Sequence, residues 1–124
     1  NVIAGMRTHG ARRLVCVSAM GTADDHDPTP TPLCTRVTRP LLLSRVFQEL
    51  RVMEALVRAS GLEWTLVHVA RLTDGEALGR YRSAEGDSLP QAPTLAISRA
   101  DVADFIIKEL ERREWVERDV ALAY

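Results

Sequence analysis

The sequence predicts an α/β domain with a parallel sheet, and more narrowly the second half of a doubly wound one. Residues 14–17 and 64–69 are short apolar runs rich in β-branched side chains, separated by an amphipathic stretch over residues 44–60. Strand, crossover helix and strand form a right-handed βαβ unit with parallel strands. The first run lacks polar alternation, which is typical of a strand with neighbours on both sides. No upstream segment of the sequence supplies those neighbours, so we expect part of a larger domain.

Length and composition indicate one globular domain. The 124 residues are 46% hydrophobic and 27% charged, and 16 basic against 17 acidic side chains give a net charge of −1. That balance predicts no nucleic-acid or membrane partner. The two cysteines, Cys16 and Cys34, show no metal-ligand spacing, and free thiols in a reducing compartment are favoured over a bridge between them. No apolar stretch approaches the ~20 residues of a spanning helix and no leader opens the chain, so we expect a cytoplasmic protein.

The first third of the sequence predicts a helix, a strand and a long loop. Residues 1–9 carry apolar side chains on one helical face, and Gly10 ends that helix. Residues 22–40 hold four of the six prolines, which indicates a long loop of functional or mobile type. The acidic cluster at residues 24–27 suggests a metal site, but neighbouring side chains rarely converge on one ion. A solvated loop without metal is the preferred interpretation.

The middle of the sequence predicts a helix and a strand, followed by an irregular stretch. The helix over residues 44–60 ends at Gly61. Its apolar stripe consists of Val46, Phe47, Leu50, Met53, Leu56 and Val57. After the strand at 64–69, residues 70–93 are expected to be irregular because three glycines and two prolines interrupt them.

The last part of the sequence predicts a short strand, a helix and a final strand. Residues 94–97 favour the short strand, and Ser98 with Asp101 resembles a capping box that begins the helix. The inner face of this helix is predicted to consist of Val102, Phe105, Ile106 and Leu110. Val120, Leu122 and Tyr124 alternate with two alanines and predict a last strand at a sheet edge.

Three motifs in fixed order resemble one family. Leu14–Gly21, Ala59–Val67 and Ala96–Phe105 together resemble the C-terminal half of atypical short-chain dehydrogenase/reductases, especially NAD(P)H-binding proteins of the flavin reductase/biliverdin-IXβ reductase and NmrA types. The resemblance implies a Rossmann-like fold that binds NADP or NAD, with a small-molecule substrate, across the carboxyl ends of the strands. The seven glycines form no GxGxxG or GxxGxxG pattern. We therefore expect residues 1–124 to be a partial domain that lacks the glycine-rich strand–helix unit.

The resemblance also implies where the site lies. Ser18, with Ala19 and Met20 after it, matches the turn that borders the nicotinamide, and Ser18 is the candidate catalytic donor to a substrate carbonyl or to the cofactor amide. The alternative is a serine that bonds local backbone in a turn.

A second turn, His68, Val69, Ala70 and Arg71, stands where the family usually has Arg-Pro, and its residues are candidate cofactor contacts. His68 is a candidate proton donor or, alternatively, a hydrogen-bonded residue at a strand end. Arg71 is a candidate partner of a phosphate or an acidic substrate, and a solvated loop arginine is the alternative.

The lysine count restricts the chemistry. Fifteen of the 16 basic residues are Arg, and Lys108 is preceded four residues earlier by Asp104. Neither Tyr81 nor Tyr124 has a Lys four residues later, so the Tyr-x-x-x-Lys acid/base pair of short-chain dehydrogenases is absent. The favoured function is therefore hydride transfer from NAD(P)H to a flavin-like acceptor that takes its proton from water. The alternatives are a non-catalytic NAD(P)-sensing regulator of the NmrA type and an inactive fragment.

Overall fold

A computed structural model describes residues 2–21, 44–89 and 92–124. The predicted loop over residues 22–40, its acidic cluster at residues 24–27, and Cys34 lie outside the described residues. Within them, Cys16 is a free thiol and no group of acidic, His or Cys side chains could hold a metal ion. No described helix is long and apolar enough to cross a membrane.

The chain alternates helices and strands around a mostly parallel sheet. In chain order the elements are α1 (Val2–Thr8), β1 (Arg13–Ala19), α2 (Ser44–Arg58), β2 (Glu63–Val69), β3 (Arg71–Thr73), β4 (Arg82–Glu85), β5 (Ala96–Ser98), α3 (Arg99–Arg112) and β6 (Arg118–Ala123). The main sheet has the order β1-β2-β6-β4, and β3 pairs with β5 in a parallel two-stranded sheet. The predicted α/β class is confirmed.

The predicted βαβ unit is present. β1 and β2 are parallel, with Arg13 opposite Glu63 and Ala19 opposite Val69. At the end of α2, Gly61 adopts a φ of +66°, a left-handed conformation that favours glycine at a helix end. Because β1 and β2 are parallel and in register, their carboxyl ends lie side by side at the same edge of the sheet.

Two predictions about strands are wrong. β6 is not an edge strand, because it lies between β2, to which it is parallel, and the antiparallel β4. Residues 70–93 are not wholly irregular, since they contain β3 and β4. β4 escaped prediction because its sequence, Arg82–Glu85, is short and polar, as suits a strand at the exposed edge of a sheet.

The sheet has two chemically different faces. Side chains alternate along a strand, so the register places Ser18, His68 and Ala121 on one face, covered by α2. On the opposite face, under α3, one apolar cluster joins the sheet to the helix; it contains Val67, Val69, Ile97, Val102, Phe105, Val120 and Leu122. We call these the α2 face and the α3 face. The α3 face carries the apolar core of the domain.

The predicted apolar stripes are only partly right. On α2, Glu54 and Val57 are buried, whereas Leu56 is exposed because it lies ~200° round the helix from Glu54. Val46 is also exposed, since it lies in the first turn, where no described residue covers it.

On α3, Leu110 is exposed and its neighbour Glu109 is buried instead. The buried side of the helix is thus turned by ~100° from the predicted one. In both helices a carboxylate occupies a position on the buried side.

β1 is less buried than its apolar run predicts. Ser18 is its one buried residue, and Val17 is 39% exposed. Among the described residues, β2 is the only strand beside β1, and this accounts for the exposure.

Candidate functional site

The carboxyl ends of β1 and β2 meet at one edge of the sheet. Parallel pairing aligns Ala19 with Val69, and the Met20 amide donates a hydrogen bond to the Val69 carbonyl at 3.0 Å. The chain then turns at Gly21, whose φ of +77° is in the left-handed region. We call residues 18–21 and 68–71 together the carboxyl edge. In open α/β sheets, ligands bind outside this end of the strands.

The two-stranded sheet extends this edge. The Arg71 amide donates to the Leu95 carbonyl at 3.0 Å, and the Tyr124 amide donates to the Ala96 carbonyl at 3.1 Å. Ala70 and Arg71 are both exposed. The carboxyl edge therefore presents backbone, small side chains and one exposed guanidinium.

Ser18 does not offer a free hydroxyl to this edge. Its side chain is buried on the α2 face, and its Oγ donates to Glu54 Oε1 at 2.5 Å. The prediction that Ser18 binds a substrate carbonyl gains no geometric support, because its one proton is already donated to a carboxylate.

His68 is held from both sides of its ring. It is fully buried; its Nδ1 lies 3.1 Å from the Ala19 carbonyl oxygen and its Nε2 lies 2.9 Å from Asp119 Oδ1. This is the hydrogen-bonded strand-end residue that the sequence allowed as the alternative. A proton donor to a bound substrate would need one of these nitrogens to be free.

Arg58 joins the two carboxylates of this network. Its Nη2 lies 2.6 Å from Asp119 Oδ1 and 3.2 Å from Glu54 Oε2. Burial disfavours ionisation of Asp119, but the hydrogen bonds from Arg58 and His68 outweigh it and lower the pKa of this carboxyl. Burial, together with the charge of Glu54, raises the pKa of the nearby Cys16 thiol.

Glu54, Arg58 and Asp119 are absent from the predicted site. One signal was available in the sequence: Glu54 lies within the apolar stripe of α2 and stands four residues before Arg58. A carboxylate on the buried side of a helix requires a partner across the interface.

Tyr81 and Lys108 lie close together in the fold, although they are too far apart in sequence to form a Tyr-x-x-x-Lys pair. Asp104 accepts hydrogen bonds from Tyr81 Oη at 2.9 Å and Lys108 Nζ at 2.6 Å, and Nζ lies 5.9 Å from the centroid of the tyrosine ring. Burial and the hydrogen bond to Asp104 raise the pKa of Tyr81 to about 12. A catalytic tyrosine of the dehydrogenase type needs the opposite shift.

Asp101 fixes the segment that follows β3. Ser98 caps α3 as predicted, with its side chain accepting from the Asp101 amide. The buried Asp101 carboxylate accepts from the amides of Leu78 and Gly79 at 2.9 and 2.8 Å and from Tyr124 Oη at 2.6 Å. It therefore ties the loop after β3 to the start of α3 and to the end of β6.

Small residues and one arginine stand at the carboxyl edge. Among the described residues, Ala19, Gly21 and Ala70 place small side chains at the strand ends, and the exposed Arg71 supplies a positive charge beside them. No glycine fingerprint for the pyrophosphate occurs in the sequence. Ala19, Met20, Val69, Ala70 and Arg71 stay predicted cofactor contacts at this edge, together with Ser18 and His68, whose side chains bind internal partners.

Comparison with known proteins agrees with this geometry. The family model described as NAD(P)H-binding matches residues 1–113. No curated protein matches the chain. A short-chain dehydrogenase/reductase from Veillonella parvula DSM 2008, solved in complex with NADP, superposes with a TM-score of 0.78 at 18% identity, over 99% of this chain and 55% of that one.

Two further solved structures are similar. For a candidate NAD-dependent epimerase/dehydratase from Bacillus halodurans, the TM-score is 0.71 at 21% identity, covering 98% of this chain and 50% of that one. For SP1627, a candidate NADH-flavin reductase from Streptococcus pneumoniae TIGR4, the TM-score is 0.67 at 23% identity, covering 89% and 54%. The chain thus spans about half the length of these proteins.

The predicted Rossmann-like fold and the predicted NADP or NAD cofactor class are confirmed at the level of the family. The family match covers most of the chain, and the structural matches share its sheet. This chain belongs to the family of NAD(P)H-binding proteins and has a Rossmann-like fold.

Proposed function

We propose that the protein is an NAD(P)H-dependent oxidoreductase that reduces a flavin-like acceptor at the carboxyl edge. The observation that carries this proposal is that the side chains of Ser18, His68 and Tyr81 all bind internal partners. An acceptor that needs a proton from the protein would lack a donor among these residues. A flavin takes its proton from water and suits such a site.

In this proposal the chain binds and orients rather than performing acid/base chemistry. NAD(P)H, when bound, supplies the hydride. The backbone of Ala19, Met20 and Val69 forms the wall on which the nicotinamide is placed, and the tie between Met20 and Val69 keeps that wall rigid. Arg71 is exposed beside it and pairs with an anionic group such as the phosphate of a flavin mononucleotide.

The same observation supports a second function. A non-catalytic sensor of the NmrA type would bind NAD(P) at this edge and need no free donor. The two proposals share the nucleotide site and differ in turnover, so one assay separates them.

The test follows the absorbance of the reduced nicotinamide when the full-length protein is mixed with NADPH and FMN. We expect the reduced-nicotinamide band to fall, and we expect Arg71→Ala to raise the KM for FMN roughly tenfold. Riboflavin lacks the phosphate, so its KM should not change in this variant. Arg12→Ala is the matched control, since Arg12 is exposed at the opposite end of β1.

Each outcome decides between the proposals. NADPH binding without oxidation would support the sensor and exclude the reductase. Absence of NADPH binding would contradict both. An equal loss for FMN and riboflavin in Arg71→Ala would remove the proposed phosphate contact.

A further inference from the structure

A cleft of about 140 Å³ lies on the α3 face, between α3 and the edge strand β4. Its lining comes from β4 and the residue before it, from the second half of α3 and from the turn that follows this helix. Ser83 faces the cleft because it stands opposite Leu122, which belongs to the apolar cluster under α3. In the main sheet β6 separates β4 from β1 and β2, and none of the described residues that line the cleft belongs to the carboxyl edge. The cleft is therefore separate from the proposed dinucleotide site.

Three aromatic side chains form the walls of this cleft. Phe105 is buried, and its ring meets the ring of Tyr81 edge to face, with the centroids 6.1 Å apart and the planes at 77°. Tyr81 and Trp115 both pack against the apolar cluster of the core, which holds the walls in place. A cavity of about 150 Å³ with apolar walls binds one molecule of benzene. The space between these walls therefore fits a single six-membered aromatic ring.

Among the described residues, four charged side chains also line the cleft, and two of them are already paired. Lys108 Nζ donates to Asp104 Oδ2 at 2.6 Å, and Glu109 Oε1 accepts from Arg13 Nη2 at 2.6 Å. Opposite charges held this close offset each other. Lys108 and Glu109 thus have little charge to offer a ligand.

The other two charged side chains, Arg112 and Glu114, stand at the mouth of the cleft. Both residues are exposed, whereas Phe105 and Glu109 are buried. Within the described part of the chain, neither Arg112 nor Glu114 forms an ion pair through its side chain. The mouth therefore presents one positive and one negative group beside the aromatic walls. A small molecule with an aromatic ring, an anionic group and a cationic group matches this arrangement.

We propose that this cleft binds a free aromatic amino acid with a single six-membered ring, such as phenylalanine. The ring lies between the aromatic walls, the carboxylate pairs with Arg112, and the ammonium group pairs with Glu114. The end residue of a peptide carries only one of those two charges, so a free amino acid fits the mouth better than a chain terminus does. This site does not depend on the proposed dinucleotide site.

The first experiment compares ligands that keep the ring and lose one charge. Binding to the ¹⁵N-labelled full-length protein is followed by the indole N–H signal of Trp115, which reports on the cleft itself. We expect phenylalanine to bind roughly tenfold more tightly than 3-phenylpropionate, which lacks the ammonium group, or 2-phenylethylamine, which lacks the carboxylate. Alanine lacks the ring and should leave the Trp115 signal unshifted.

The second experiment assigns each charge at the mouth. Arg112→Gln should raise the Kd for phenylalanine and 3-phenylpropionate roughly tenfold and leave 2-phenylethylamine unchanged. Glu114→Gln should weaken phenylalanine and 2-phenylethylamine instead. Arg99→Gln is the matched control, because Arg99 is an exposed arginine at the start of the same helix.

A third variant fills the cleft. Ser83 is exposed on the edge strand, so Ser83→Leu should fold and abolish binding of phenylalanine, whereas Ser83→Ala should retain it. Unchanged amide signals away from the cleft establish that the fold is intact.

The outcomes separate this inference from the proposed function. Absence of saturable phenylalanine binding would overturn the inference, as would equal affinities for the three ligands or an Arg112→Gln variant that behaves like Arg99→Gln. None of these results bears on NADPH, whose binding is measured separately and would leave the proposed function standing.

Discussion

Single buried carboxylates determine much of the geometry of this protein. Glu54, Asp101 and Glu109 are each at most 2% exposed, and each accepts a hydrogen bond from a side chain of another element. A buried carboxylate without donors would be too costly to retain, so each one specifies the position of its partners. The sequence predicted that Asp101 helps to cap α3, because Ser98 stands three residues before it. It placed Leu110 rather than Glu109 on the buried side, since hydrophobic periodicity assigns carboxylates to solvent.

The variant Asp101→Asn tests whether a single buried carboxylate positions the groups that bind it. Asparagine keeps only one acceptor oxygen, so its NH2 group must face either the Gly79 amide or the Leu78 amide and the Tyr124 hydroxyl. We therefore expect the free energy of unfolding to fall by about 1–3 kcal/mol in urea titrations. Asp74→Asn, at an exposed pair with Arg99, is the control and should change it by less than about 0.5 kcal/mol. Equal effects of the two changes would contradict the anchoring role of Asp101.

Asp101→Asn should also change how the stability of the protein depends on pH in acid. Burial opposes ionisation of Asp101, but hydrogen bonds from Tyr124, Leu78 and Gly79 outweigh it and lower its pKa. Because its pKa is lower in the folded state, ionised Asp101 stabilises the protein at pH values above the ordinary pKa of an Asp side chain. This stabilisation is lost as pH falls through the pKa of Asp101 in the folded protein. Asp101→Asn should therefore remove part of the acid sensitivity of the wild type.

At the scale of elements, a buried ion pair joins the start of β1 to the end of α3. Arg13 Nη2 donates to Glu109 Oε1 at 2.6 Å and to Thr65 Oγ1 at 2.7 Å. Glu109 also accepts from the amides of Glu114 and Trp115. Burial lowers the pKa of Arg13 despite the charge of Glu109, yet an arginine remains charged at neutral pH. Helix, strand and the turn after α3 are thus fixed by one carboxylate.

Glu109→Ala should destabilise the protein by about 3–5 kcal/mol in thermal and urea unfolding, because it leaves Arg13 buried without its counter-ion. The double change Arg13→Met with Glu109→Leu removes both charges and should recover most of that loss. A double variant as unstable as Glu109→Ala would indicate that packing, and not the uncompensated charge, is responsible.

At the scale of the whole molecule, local relationships were predictable and distant ones were not. β1, α2 and β2 follow one another, so apolar runs and helical periodicity suffice to predict their parallel arrangement. β6 pairs with β2 across residues 70–117, which include three strands and a helix. No local pattern encodes that pairing, and alternation in β6 resembles that of an edge strand. The contacts among Ser18, Glu54 and His68 likewise form only when α2 packs on the sheet. The sequence motifs predicted Ser18 and His68 as site residues but not Glu54.

The long-range pairing of β6 predicts an order of folding. Val67 of β2 and Val120 of β6 are both fully buried and aligned across the sheet, so Val→Ala at either should cost about 2 kcal/mol. Contacts of large sequence separation form late. In stopped-flow chevrons, Val67→Ala should mainly slow folding and Val120→Ala should mainly speed unfolding. The reverse assignment would place β6 in the folding nucleus.

The central position of β6 has a consequence during biosynthesis. Every strand that β6 touches leaves the ribosome before it, because β2 and β4 both precede it in the chain. Until residues 118–123 emerge, the inner edge of β2 presents unpaired amides and carbonyls. A nascent chain from which residues 118–123 have not yet emerged therefore lacks the strand that joins β2 to β4.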